Sequence, residues 1–158
     1  MGAGGAERSG GATEQGMTLS AAILVTVFLP LLAAVPVAMI GRRPGRGVAW
    51  MALGVALGVF ASVVWMAVTH AGGVREVKWP WVPDLGLALH FVADGLSMVF
   101  GLVVSGVGVL VVFYARHYLD DSYGHQGRFY AYLLLFMGAM LGAVYSGNLL
   151  LLFVFWEL

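Results

Sequence analysis

No cysteine occurs anywhere in the 158 residues. This excludes disulfides, thiol nucleophiles and cysteine-ligated metal or iron–sulfur centres. Charge is almost as scarce. Lys, Arg, Asp and Glu together make up 10% of the chain, where a soluble domain of this size carries about a quarter. The formal net charge is zero, and without a basic patch of useful size no nucleic-acid partner is expected. Lysine occurs once, at Lys78. No nucleophile–base pair, phosphate loop or dinucleotide fingerprint is found, so neither a self-contained enzyme nor a cofactor is expected. His117 and His125, with Asp120 and Asp121 between them, do not have a metal-site spacing, and no metal is expected.

What is present is apolar. Hydrophobic residues form 61% of the chain and the mean hydropathy is +0.92, so the bilayer must be its solvent. The expected fold is an all-α integral membrane protein with four transmembrane helices and a truncated fifth. Residues 1–16, mostly small and polar, read as a disordered tail, and Met17 is an alternative start. Residues 17–70 hold the first two spans. The run Leu19–Ile40 is too long for the core of a signal peptide and suits a spanning helix. Pro30 and Pro36 inside it are tolerable kinks. A turn with Arg42, Arg43, Pro44 and Arg46 leads to a second span, Val48 to Thr69.

Residues 71–93 form the longest polar connection. Leu85, Leu87, Leu89 and Phe91 alternate with smaller or polar residues, which predicts a short β-hairpin or extended flap. Trp79 and Trp81 flank Pro80 there, and tryptophan favours the headgroup level. Residues 94–158 carry a third span to about Tyr114, a fourth from Phe129 to about Ser146 and the partial fifth. Only Gly147 and Asn148 separate the last two, which predicts a tight antiparallel helix pair. Lys and Arg favour the first and third loops, which places those loops inside and the N-terminus outside. Gly54 with Gly58, and Gly138 with Gly142, have the spacing that lets helices approach closely. Packing within one bundle is the simpler reading and homodimerisation the other.

Glu157 is the residue that stands out. It follows the uncharged run Leu149–Trp156, and an ionisable group inside a membrane helix is costly enough to imply function. If the fifth segment starts at the outer surface at Asn148, Glu157 lies roughly 13 Å deeper, near the middle of a core about 30 Å thick. Burial there disfavours the charged form, a property suited to taking up and releasing protons. The alternative is an incidental polar end. Asp94 stands where the third span begins and reads first as a helix cap or dipole partner. Arg116 and His117, at the other end of that span, read first as headgroup anchors or dipole partners and second as ion-handling groups. His70 and His125 read as solvated helix-end or loop residues.

Three stretches resemble the antiporter-like membrane subunits. They are V-A-D-G-L-S-M from Val92 to Met98, R-F-Y-A-Y-L-L-L-F-M-G-A-M-L-G from Arg128 to Gly142, and S-G-N-L-L-L-L-F-V-F-W-E-L from Ser146 to Leu158. That family includes the A-subunit of Mrp-type Na⁺/H⁺ antiporters and chain 5 of complex I. Met137–Gly142 and the F-W-E-L ending look more like the former. The resemblance implies that Glu157 is the carboxylate that translocates protons or cations, working with a lysine of a later helix. It also implies that the sequence is an N-terminal piece of a longer subunit. The expected function is exchange of protons for Na⁺ or another monovalent cation across the cytoplasmic membrane. The partners would be other subunits of a multisubunit complex, the lipid bilayer, protons and monovalent cations. The alternatives are a piece of the proton-pumping chain 5 of NADH-quinone oxidoreductase, or a truncated membrane protein that transports nothing.

Overall fold

The computed structural model describes residues 6–41, 47–69, 73–82, 87–119 and 125–158. In chain order the elements are α1 (Ala6–Ile40), α2 (Gly47–Thr69), β1 (Arg75–Val82), β2 (Leu87–Ala93), α3 (Gly95–Tyr118), α4 (Gln126–Val144) and α5 (Leu149–Glu157). Four helical stretches are long and apolar enough to cross a membrane, namely Thr18–Ile40 within α1 and the whole of α2, α3 and α4. The chain is a multi-pass membrane protein with a two-stranded hairpin between its second and third helices. The arginine turn (Arg42, Arg43, Pro44, Arg46), His70, Leu85, Asp120, Asp121 and residues 1–5 lie outside the described residues.

Three boundaries differ from the sequence reading. The α1 backbone is helical from Ala6, so residues 6–16 continue the helix instead of forming the disordered tail expected there. Ala6, Glu7, Arg8, Ala12, Glu14 and Gln15 are adequate helix formers, and extending an existing helix adds a hydrogen bond for each residue ordered. The third helix runs to Tyr118 rather than Tyr114. Pairs at helical spacing carry it past the apolar run, with Tyr118 stacked on Tyr114 at 5.8 Å and His117 against Phe113 at 4.8 Å. The fourth helix starts earlier, at Gln126.

The bundle is arranged around α4, which touches α1, α2, α3 and α5. Half of its membrane-length window (50%) is buried inside the chain, against 22% for α3. Its glycines explain the close approaches. A Cβ on Gly138 would meet Leu31 and Pro30 of α1, and one on Gly142 would overlap the Phe155 ring of α5. These two therefore serve packing within the bundle. Gly54 and Gly58 do not; they are exposed with nothing near them, because α2 turns Ala52, Ala56, Val59 and Val63 to the core instead. Thr26 of α1 and Ser62 of α2 share a hydrogen bond of 2.9 Å across their interface, satisfying two hydroxyls where water is scarce.

The hairpin caps one end of this bundle. Its register pairs Val77 with Phe91 and Trp79 with Leu89. With a side-chain period of two, those residues share one face with Ala93, while the register shifts between Pro80 and Val82. Phe91 and Ala93 are buried. The Phe91 ring lies 6.1 Å from both Phe28 of α1 and Phe155 of α5, so it ties the hairpin to two helices at once.

Candidate functional site

The site is built by the turn between α4 and α5. Tyr145 is fully buried, against Gly101 of α3, where a Cβ would overlap its hydroxyl. From this anchor the backbone runs alongside β2. The Val92 N–H donates to the Tyr145 carbonyl (2.8 Å) and the Gly147 N–H donates to the His90 carbonyl (2.7 Å), around a bridge between Phe91 and Ser146. The turn is thus pinned to the two-stranded hairpin by a single antiparallel bridge. Gly147 is required there, since a Cβ would sit 2.6 Å from His90 Nδ1 and Val92 Cγ2, closer than such atoms approach.

Asn148 then acts in two directions. Its Oδ1 accepts from the Leu151 N–H (2.8 Å), capping α5, while its Nδ2 donates to the Ala88 carbonyl of β2 (2.8 Å). The N-cap of α5 is thereby bound to the hairpin, and the helix that follows starts at a position the hairpin defines. Leu151 and Phe155 are buried against the bundle. Glu157 is exposed, and no cation among the described residues pairs with it. The sequence singled out Glu157 but not Asn148, Gly147 or His90, which set its position. The available signal was Asn ahead of an apolar run, the usual pattern of an N-cap.

Asp94 lies at the same end. It caps α3 through a reciprocal box in which its Oδ1 accepts from the Ser97 N–H (2.8 Å) and its own N–H donates to Ser97 Oγ (2.8 Å). The backbone hydrogen bond from Ser97, followed by its side-chain one, holds the Asp94 carboxyl below the usual aspartate range. Between this cap and the turn lies a cleft of about 340 Å³, whose polar lining is Asp94, Ser97 and Ser146. On the hairpin's other face Glu76 accepts from Lys78 Nζ (2.8 Å) and lies 3.2 Å from His90 Nε2. The hydrogen bond from Lys78, then its charge, lowers the Glu76 pKa. Lys78 is therefore engaged far from Glu157.

Arg116 and His117 sit at the opposite end of α3. The Arg116 guanidinium lies 3.7 Å above the Trp50 ring of α2, a cation–π contact, and its Nε is buried without a hydrogen bond. His117 Nδ1 is 3.1 Å from the Phe113 carbonyl. The structure does not bring these two together with Asp94 or Glu157. Among the described residues no cluster of three His, Asp or Glu side chains could hold a metal ion.

The family model for the N-terminus of chain 5 of NADH-ubiquinone oxidoreductase (complex I) matches residues 79–130, from the hairpin into α4. The A-subunit of the Na⁺/H⁺ antiporter of Alkalihalophilus pseudofirmus is 46% identical over 110 residues, covering 69% of this chain and 14% of that protein. The chain belongs to the antiporter-like subunit family. The A1-subunit of the Na⁺/H⁺ antiporter of Staphylococcus aureus is 40% identical over 136 residues, covering 85% of this chain and 17% of that one. The Mrp complex from Dietzia sp. contains a similar chain with a TM-score of 0.72 and 27% identity, over 85% of this chain and 14% of that one. Respiratory complex I from Thermus thermophilus contains another, with a TM-score of 0.70 and 28% identity, over 85% of this chain and 26% of that one. The chain thus spans between 14% and 17% of the length of these two antiporter relatives.

Proposed function

We propose that this chain works as part of a multisubunit monovalent cation/proton antiporter of the cytoplasmic membrane. Glu157 would be the carboxylate that takes up and releases the transported proton, in exchange for Na⁺ or another monovalent cation. The observation that carries this reading is the clamp at Asn148. It starts α5 at the hairpin and leaves Glu157 nine residues further on, roughly 13 Å along the helix, a depth that would lie near the midplane of a core about 30 Å thick if the hairpin sits at the membrane surface. The 46% identity to the A-subunit of a Na⁺/H⁺ antiporter supports the same assignment.

In this reading the hairpin and the N-terminus face outside and the arginine turn faces inside, in line with the distribution of Lys and Arg. The cleft beside Asp94 would admit water and cations from the hairpin side. Glu157 is exposed, and the family resemblance implies that its counter-charge would be a lysine of a later helix. Withdrawing that cation favours the carboxylic acid and returning it favours the carboxylate, which couples movement of charge to movement of a proton. Replacing Glu157 with Gln in the intact subunit, reconstituted with its partner subunits in vesicles, is expected to abolish cation-driven proton movement. Unchanged exchange would overturn the assignment.

A second reading follows from the match to complex I chain 5. There Glu157 would serve proton pumping driven by NADH oxidation in other subunits. Dependence of proton movement on NADH instead of a cation gradient would favour it. A chain that assembles with no partner and moves no ion would favour the third reading, a membrane protein without transport activity.

A further inference from the structure

A groove of about 340 Å³ runs between the last turns of α1 and the first turns of α4, at the end of the bundle away from the hairpin. Val35, Ala38 and Met39 form one wall, and Tyr132 and Leu135 the other, with Arg128 at the mouth. The groove closes where the α1 and α4 backbones touch. At that point a Cβ on either Gly41 or Gly127 would overlap the other glycine. Val35, Met39 and Tyr132 remain more than half exposed, so this chain leaves the groove open along its length.

Among the described residues the charge at the mouth has no ion-pair partner. Arg128 is exposed in the first turn of α4, where a cation gains nothing from the helix dipole. In sequence, the loop that follows α1 carries Arg42, Arg43 and Arg46, and the loop before α4 carries Asp120 and Asp121. An apolar slot under a cation, in a membrane protein, matches one chemistry. It accepts an acyl chain along its length and a phosphodiester at its mouth, with Tyr132 at the boundary between them.

We propose that the α1–α4 groove binds one anionic phospholipid, its acyl chain against Val35, Met39 and Leu135 and its phosphate against the Arg128 guanidinium. This inference rests on the membrane placement of the helices and is independent of the role given to Glu157. The test uses the full chain purified in a maltoside detergent. Native mass spectrometry counts the lipid retained from phosphatidylglycerol or from phosphatidylcholine with the same acyl chains. The wild-type chain is expected to retain one phosphatidylglycerol with about a five- to tenfold preference. Arg128→Gln should abolish that preference, and Arg128→Lys should preserve most of it. Ala38→Phe should lower retention of both lipids by filling the slot, and Arg75→Gln on the hairpin should change nothing. Equal retention of the two lipids by the wild-type chain would overturn the proposal, as would a preference that survives Arg128→Gln. Displacement of the lipid by millimolar inorganic phosphate would also overturn it, because the ligand would then be a free anion. The wild-type comparison stands even if a variant fails to fold.

Discussion

The two ends of this bundle are built on opposite plans. At the hairpin end three charged or amide side chains have partners among the described residues, although the buried Tyr145 hydroxyl has none. Asp94 is capped by Ser97, Glu76 holds Lys78 and His90, and Asn148 bonds both α5 and β2. At the other end the described arginines lack ion-pair partners among the described residues. Arg116 lies on a tryptophan and Arg128 on an open groove. A closed end holds a geometry, whereas an open end awaits an occupant. The positions of α4, α5 and Glu157 depend on the former, so damage to the hairpin end should reach the carboxylate. Changes at the arginine end should alter what binds there and leave the helices in place.

The largest expected effect comes from filling the contact that joins hairpin and turn. Gly147→Val places atoms where His90 and Val92 already are, and overpacking of this kind costs about 1–3 kcal/mol. A lowered melting temperature in detergent is expected, with loss of hydrogen-exchange protection at the Val92 and Gly147 amides. A variant that melts like wild type would break the contrast between the two ends. Asn148 allows a finer cut. Asn148→Ala removes the α5 cap and the bond to Ala88 together and should cost about 1–2 kcal/mol. Asn148→Ser keeps a cap acceptor and loses the amide donor to Ala88, so it should fall between wild type and Asn148→Ala in the same melt.

The smallest effect is expected from acid, and it should be confined to one end. The folded-state pKa values of Asp94 and Glu76 both lie below their ordinary values. A depressed carboxylate contributes stability that is complete above its unfolded value, about 3.9 for Asp and 4.3 for Glu. That contribution fades as pH falls through the lower folded value. Hydrogen exchange at matched intrinsic rates should therefore show the hairpin and the α3 N-terminus loosening below about pH 4. The described residues of the arginine end, which include no carboxylate, should not change. Equal loosening at both ends would remove the distinction.

Much of the fold was legible in the sequence, for physical reasons that also mark where legibility ends. Long uncharged runs announce spanning helices, and the alternation around Leu89 and Phe91 announces a strand. Asp94 followed by Ser97 carries a local capping pattern. Helix ends were less legible, because Tyr114–Tyr118 and Phe113–His117 extend α3 through polar residues that end an apolar run. The pairing of β2 with the α4–α5 turn was not legible at all, since it joins residues far apart in sequence through backbone groups that every residue possesses. Nor did composition distinguish the two glycine pairs. Gly138 and Gly142 are packed while Gly54 and Gly58 are bare, a difference set by which face of each helix the neighbours cover. The exposure of Glu157 was hidden for a related reason, because α5 is apolar all round and has no periodic stripe.

The clamp at Asn148 sets an angle as well as a height. An α-helix turns about 100° per residue, so the nine residues from Asn148 to Glu157 amount to about two and a half turns. The carboxylate therefore points roughly 180° from the side chain that holds the hairpin. Phe155, seven residues on from Asn148, returns to within about 20° of it, in keeping with its burial. One inserted residue between Asn148 and Glu157 would swing the carboxylate by about 100° while lowering it by only about 1.5 Å. The bearing of Glu157 is thus far more sensitive to a change in chain length than its depth, and it is read out from a hydrogen bond at the far end of the helix.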